Sequence, residues 1–288
     1  MPRAHSNGLE LEYDTFGDAA DPTLLLVMGL GAQMITWPVG FCELLAAQGY
    51  HAVRYDNRDI GLSTHLDDLG LPDTAAIMGG DTSTAPYLLA DLADDAAGLL
   101  DTLGVAKAHV VGASMGGMIA QQFAIDHPDR LLSLCSIMST TGDRSVGASS
   151  PAAMAALTRP PGTTREEIIE GGLVAQRVIG SPGYPPSDEY LRERGAESYD
   201  RSFHPAGFAR QFAAILASPD RTEGLHGVTA ATLVVHGEAD PLVHVSGGRA
   251  TAAAIPGAEL LVLPGMGHDL PTELWTTIVE AIAKNAKG

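Results

Sequence analysis

The stretch VVGASMGGM, residues 110–118, constrains this chain more than any other. A β-branched run meets a serine flanked by glycines, and a helix-like segment follows at once. Gly112-Ala113-Ser114-Met115-Gly116 has the form G-x-S-x-G. Between a strand and a helix, that spacing forces a tight turn on which the serine hydroxyl stands clear of the sheet. Glycines at 112 and 116 let neighbouring backbone approach where a larger residue would collide. The following helix directs its N-terminal amides at the same point.

A turn of this kind needs a parallel sheet around it, and the chain supplies one. Apolar runs at Thr23–Gly29, His51–Asp56, Ala108–Val111, Leu131–Met138, Thr232–His236 and Glu259–Leu263 read as strands. Helix-like segments alternate with them: Trp37–Gln48 ending at Gly49, Pro86–Leu103 ending at Gly104, and Met115–His127 stopped by Pro128. A last helix starts near Pro271. The alternation predicts an α/β fold, a mostly parallel central sheet with flanking helices. Residues 140–227 break the rhythm with several prolines and helical patches without strand signals. They are expected to form an inserted, mostly helical cap on a core built from 1–139 and 228–288.

A serine hydroxyl is a weak nucleophile and needs a base, and the base needs an orienting acid. On a strand-to-helix turn of this type the partners follow in the order acid, then histidine. The strand LVVHG runs into a turn carrying Asp240, and LVLPGMGH ends in His268. Strand C-terminal ends are where catalytic groups collect in open α/β sheets. Glu238 and Asp143 compete as the acid; Asp240 is favoured because Pro241 sets a turn directly after it. Among the other histidines, His5, His51, His109 and His127 read as surface or capping groups and His236 as a structural hydrogen-bonding group. An oxyanion formed at Ser114 needs backbone donors, predicted at the amides of Met115 and Leu30. The loop Met28-Gly29-Leu30-Gly31 turns the Leu30 amide inward. Losing one such donor typically costs about 2.7–4 kcal/mol of transition-state stabilisation.

Composition narrows the partners. The 288 residues hold 17 Lys plus Arg against 35 Asp plus Glu, a net charge of −18. Such a surface repels phosphate backbones and anionic lipid, so neither nucleic acid nor membrane is expected as a partner. No signal-peptide stretch opens the chain, and TLLLVMGL is too short to span a bilayer. A cytoplasmic protein is expected, with Cys42 and Cys135 as buried free thiols. No His/Cys cluster suggests a metal, and no cofactor is required.

In order along the chain, VMGLGAQMITWP, RYDNRDIGLS, VGASMGGM, VVHGEADPLV and LPGMGHDLP resemble the α/β-hydrolase family. Within it they are most similar to aclacinomycin methylesterase and its relatives, which cleave a methyl ester on an aromatic polyketide. The resemblance implies Ser114 as nucleophile, His268 as base, Asp240 as its partner, and the Leu30 and Met115 amides as oxyanion donors. Many α/β-hydrolases carry His-Gly where this chain has Met28-Gly29, a substitution the methylesterase group shares.

The resulting expectation is a serine carboxylic-ester hydrolase acting on a mid-sized apolar or aromatic ester. Gln33, Met34 and Trp37 are expected to line its pocket. Met154, Tyr184, Tyr190, Phe203, Phe208 and Phe212 are expected to form a lid. The same three catalytic residues also serve lactonases, carbon–carbon bond hydrolases and receptor-like binding proteins with negligible turnover.

Overall fold

The computed structural model describes residues 2–288. The chain opens with a hairpin, β1 (Arg3–Ser6) and β2 (Leu9–Phe16), followed by β3 (Thr23–Val27), α1 (Val39–Ala47) and β4 (His51–Tyr55). Next come α2 (Thr74–Met78), α3 (Leu89–Thr102), β5 (Ala108–Ala113), α4 (Met115–Asp126) and β6 (Leu131–Ile137). Five helices then run without a strand: α5 (Pro151–Leu157), α6 (Arg165–Ile179), α7 (Asp188–Arg201), α8 (Pro205–Ala217) and α9 (Thr222–Leu225). The sheet resumes with β7 (Ala231–Gly237), α10 (Ser246–Ala254), β8 (Glu259–Leu263) and α11 (Trp275–Lys287).

The strands form one eight-stranded sheet in the order β1-β2-β4-β3-β5-β6-β7-β8. From β4 through β8 all neighbours are parallel. Central strands β3, β4 and β5 are buried at every position, because helices cover both faces. Two apolar layers result. One packs α3 and α4 on one face through Leu92, Leu99, Ile119 and Phe123. The other packs α1 and α11 on the opposite face through Phe41, Leu45, Ile278 and Ile282.

The hairpin corrects the sequence reading, which starts the sheet at Thr23. β1 and β2 pair antiparallel with each other, and β2 pairs antiparallel with β4. In sequence they alternate apolar and polar; β1 alternates exposed and buried positions, while in β2 both Leu11 and Glu12 are buried. The turn is Asn7-Gly8, both at positive φ (49° and 79°). That dipeptide is the strongest short-range hairpin signal a sequence can carry.

Both cysteines are buried and free. Burial pushes the Cys42 thiol up to about 12 and the Cys135 thiol higher still. Among the described residues, no helix is long and apolar enough to cross a membrane.

Candidate active site

Ser114 sits between β5 and α4 with φ 58° and ψ −121°. A non-glycine residue reaches this region only where surrounding packing holds it there. The glycines supply that packing. A Cβ on Gly112 would overlap the Gly116 carbonyl, and one on Gly116 would overlap the carbonyl of Val27 on β3. α4 therefore lies directly against two strand backbones, and the serine projects from the sheet's C-terminal edge.

Two parallel strands away, the turn after β7 holds Asp240. Its Oδ1 accepts the amides of Leu242 and Val243, both at 2.9 Å. The carboxylate is wholly buried, and its Oδ2 lies 2.7 Å from Nδ1 of His268. The other ring nitrogen of His268, Nε2, lies 2.8 Å from Oγ of Ser114. With Asp240 accepting the Nδ1 proton, Nε2 presents a lone pair to the serine hydroxyl.

The competing residues lie elsewhere. Asp143 accepts the amide of Ser145 in an exposed loop. Glu238 is exposed. His127 pairs with Asp94, His109 with Ser133, and His5 with Glu10. His236 is buried beneath the aspartate, with Nε2 donating to the Val243 carbonyl at 2.8 Å. Burial lowers its pKa, which disfavours the charged ring.

Leu30, Ser114 and Met115 all line the cavity. Gly29 is close-packed on Ser114: a Cβ there would lie 3.0 Å from that of the serine. The loop is held from several directions. Nδ2 of Asn57 donates to the Met28 carbonyl (2.8 Å), the Met34 amide donates to Asp56 (2.7 Å), and the Gly31 amide donates to Gln211 of α8 (2.9 Å).

Those three anchors escaped the sequence reading, as did two ion pairs beside them. Arg201 meets the buried Asp56 at 2.7 Å, and Arg210 meets the buried Asp59 at 2.7 Å. Burial pushes the Asp56 carboxyl up, against the donors that surround it. For Asp59 the Arg210 guanidinium and neighbouring donors outweigh burial, the largest single influence, and its pKa falls. The only hint in the sequence is that RYDNRDIG places charges directly after a strand buried at every position.

Above Ser114 and His268 lies a cavity of about 640 Å³. Gln33, Met34 and Trp37, expected on its wall, are not there. A short 3₁₀ turn over Met34–Thr36 rotates the chain, so that Ala32, Ile35, Thr36 and Pro38 face the cavity instead. Met34 and Trp37 are fully buried in the core, where Trp37 stacks on Phe41. Gln33 spends its amide on the Ser198 and Ser202 carbonyls and accepts from Arg201. Of the six expected lid residues, Met154, Tyr184, Tyr190 and Phe212 line the cavity. Phe208 packs over Gly31, and Phe203 is exposed beside Tyr199.

Among the described residues, one group has metal-ligating side chains close together: His65, Asp67 and His204. The Arg210 guanidinium reaches Asp67 and His204 at 3.1 Å each. A fixed positive charge thus occupies the place a cation would take, and the cluster fits an ion-pair network.

A family model described as alpha/beta hydrolase fold matches residues 22–273. The rhodomycin D methylesterase DauP of Streptomyces sp. strain C5 is 31% identical, the match covering 94% of this chain and 93% of the relative. The rhodomycin D methylesterase DnrP of Streptomyces peucetius is 30% identical with the same coverage. Among solved structures, the enol-lactonase from Burkholderia xenovorans LB400 superposes with a TM-score of 0.75 at 23% identity, covering 100% of both chains.

Proposed function

The chain belongs to the α/β-hydrolase family, and we propose that it is a serine carboxylic-ester hydrolase acting on a mid-sized apolar or aromatic ester. One observation carries the reading: Ser114 Oγ, the His268 ring and the Asp240 carboxylate form an unbroken hydrogen-bonded line at 2.8 and 2.7 Å on the floor of a cavity.

In the proposed reaction His268 Nε2 takes the Ser114 proton as Oγ attacks the ester carbonyl. Asp240 stabilises the imidazolium that forms. The tetrahedral oxyanion is met by the Leu30 and Met115 amides. The imidazolium then protonates the leaving alcohol as the carbon–oxygen bond breaks, leaving an acyl-enzyme on Ser114. Water, deprotonated by His268, attacks that ester and releases the acid and free serine. No metal or cofactor takes part in these steps.

The cavity walls support an apolar acyl group. Met28, Met118, Met138 and Met154 lie on them, and methionine side chains adapt to irregular ligand shapes. Residues 140–227 act as a cap over a core of 1–139 and 228–288, so the ester binds between the two. The methylesterase relatives make a methyl ester on an aromatic body the first substrate to test. The acidic surface and the two buried free thiols support a cytoplasmic enzyme that works away from nucleic acid and membrane.

The test is steady-state hydrolysis of p-nitrophenyl esters of rising chain length, an aromatic methyl ester and a lactone, by wild type and Ser114→Ala in parallel. Sustained ester turnover by wild type alone is expected. Turnover of the lactone alone would replace the ester reading. A single burst without further product would point to a binding protein.

A further inference from the structure

The loop that carries His268 does not stand on the sheet alone. Residues 265–269 are pinned along their length to the C-terminal end of α6 and the turn after it. The His268 amide donates to the Ile179 carbonyl at 2.8 Å, and the Gly183 amide donates to the Gly265 carbonyl at 2.9 Å. Between them sits Ser181, whose side chain is buried. Its Oγ accepts the Gly267 amide at 2.8 Å and donates to Oδ1 of Asp269. The second oxygen of Asp269 accepts from Nε2 of Gln176 at 3.2 Å.

The fit leaves no slack. A Cβ on Gly267 would overlap the Gly180 carbonyl, and a Cβ on Gly183 would come within 2.9 Å of the Gly265 Cα. Gln176, Ile179 and Tyr184, on the same stretch of α6 and its turn, line the cavity, as does Asp269 itself. The wall that meets the substrate is therefore continuous with the clamp on the histidine loop.

We infer that Ser181 and Asp269 are positioning residues that seat the His268 loop on the end of α6, so that the rate of the chemical step, and not only access to the cavity, depends on the helical segment. The inference rests on the serine-hydrolase reading above. Burial pushes the Asp269 carboxyl up, and the Ser181 hydroxyl and the Gln176 amide aimed at it oppose that rise without cancelling it. Ionised, the carboxyl adds a negative charge beside the ring that must become an imidazolium. The groups facing that ring are Asp240 from the β7 turn, with His236 behind it, and Ser114 and Asp269. Arg194 and Glu273 are the other charged groups on the cavity wall.

The experiment compares wild type, Ser181→Ala and Asp269→Asn by three readings: kcat and KM on the best ester, the pH profile of kcat/KM, and the rate of Ser114 phosphonylation by a fluorophosphonate. Both variants should lose about tenfold in kcat and in phosphonylation rate, with KM within about twofold. Removing the Asp269 charge disfavours the imidazolium, so the acidic limb for Asp269→Asn should move down by about half a pH unit. A role confined to holding the fold together would lower the melting temperature and leave that limb in place. Rates within twofold of wild type, a change in KM alone, or an unmoved limb would overturn the inference. Should Ser181→Ala fail to fold, the isosteric Asp269→Asn decides. Should wild type label at Ser114 yet hydrolyse no ester, the ester reading fails and the labelling rates still judge the clamp. An unlabelled wild type overturns both.

Discussion

The sheet edge and the helical segment between β6 and β7 are held together by opposite physics. At the edge, Ser114 and Asp240 follow strands buried along nearly all their length, and tight backbone turns place them; His268 follows the edge strand β8. The helical segment has little core of its own. α7 buries none of its residues, and α6 buries only Ile169 and Leu173. Its outer helices meet through exposed ion pairs, Arg165 with Asp200 and Arg192 with Glu170, which contribute little in solvent. What fixes it is polar and buried: Arg201 on Asp56, Arg210 on Asp59, Gln211 on the Gly31 amide and Arg58 carbonyl, and Ser181 on the His268 loop. The contrast separates two jobs. Edge residues align Ser114, His268 and Asp240; the segment walls the cavity and holds the Gly31 and His268 loops through buried polar groups that must be paired to be tolerated.

The largest effects should come from the edge. Ser114→Ala is expected to lower ester turnover by about 10⁴-fold or more, with an unchanged melting temperature. Activity within tenfold of wild type would remove Ser114 from the mechanism. Asp240→Asn should cost about 10³–10⁴-fold in kcat by presenting the wrong histidine tautomer. Asp143→Asn, the rejected acid, should leave kcat within about twofold; the reverse ranking would reassign the acid.

A substitution at the junction should break the contrast differently. Arg210→Met leaves Asp59 buried without its cation and should cost about 3–5 kcal/mol of stability, read by urea unfolding. A loss under about 1 kcal/mol would mean the segment is held mainly by something else. On the cavity wall, Tyr190→Ala should raise KM for the bulkiest ester by about fivefold and hardly change kcat. A fall in kcat alone would place Tyr190 with the chemistry.

The smallest effect is a pH dependence. Burial lowers the pKa of His236 in the folded protein below its unfolded value of about 6.5. The folded state thus binds this proton less readily than the unfolded chain. Stability from this group is present above about pH 6.5 and is lost as pH falls toward the folded value. Melting temperatures of wild type and His236→Gln between pH 8 and 5 test it, the variant being expected to lose less on acidification. Parallel curves would show that His236 does not contribute.

How much was legible followed the range of the interaction. The turn at Ser114 is a matter of sterics over five residues, Gly112 to Gly116, and local sequence suffices to place it. Asp240 and His268 stand out because each follows its own strand within a few residues. The Asn7-Gly8 hairpin was equally local, but its strands alternate instead of running apolar, so a search for buried runs passes over them. Gln33, Met34 and Trp37 were misplaced because one 3₁₀ turn decides which side chains of 32–38 face the cavity, and no periodic pattern announces it.

By itself, then, the sequence determined a parallel α/β sheet and the order serine, acid, histidine along its edge, since strand burial and tight turns are encoded within a few residues. Only the tertiary structure decided which residues wall the cavity and how the helices hold the Gly31 and His268 loops. Arg201 meets Asp56, Arg210 meets Asp59, and Ser181 meets Gly267 across long stretches of chain. A buried charge or hydroxyl is tolerated only where folding supplies its partner, and a partner so distant in sequence leaves no local pattern to read.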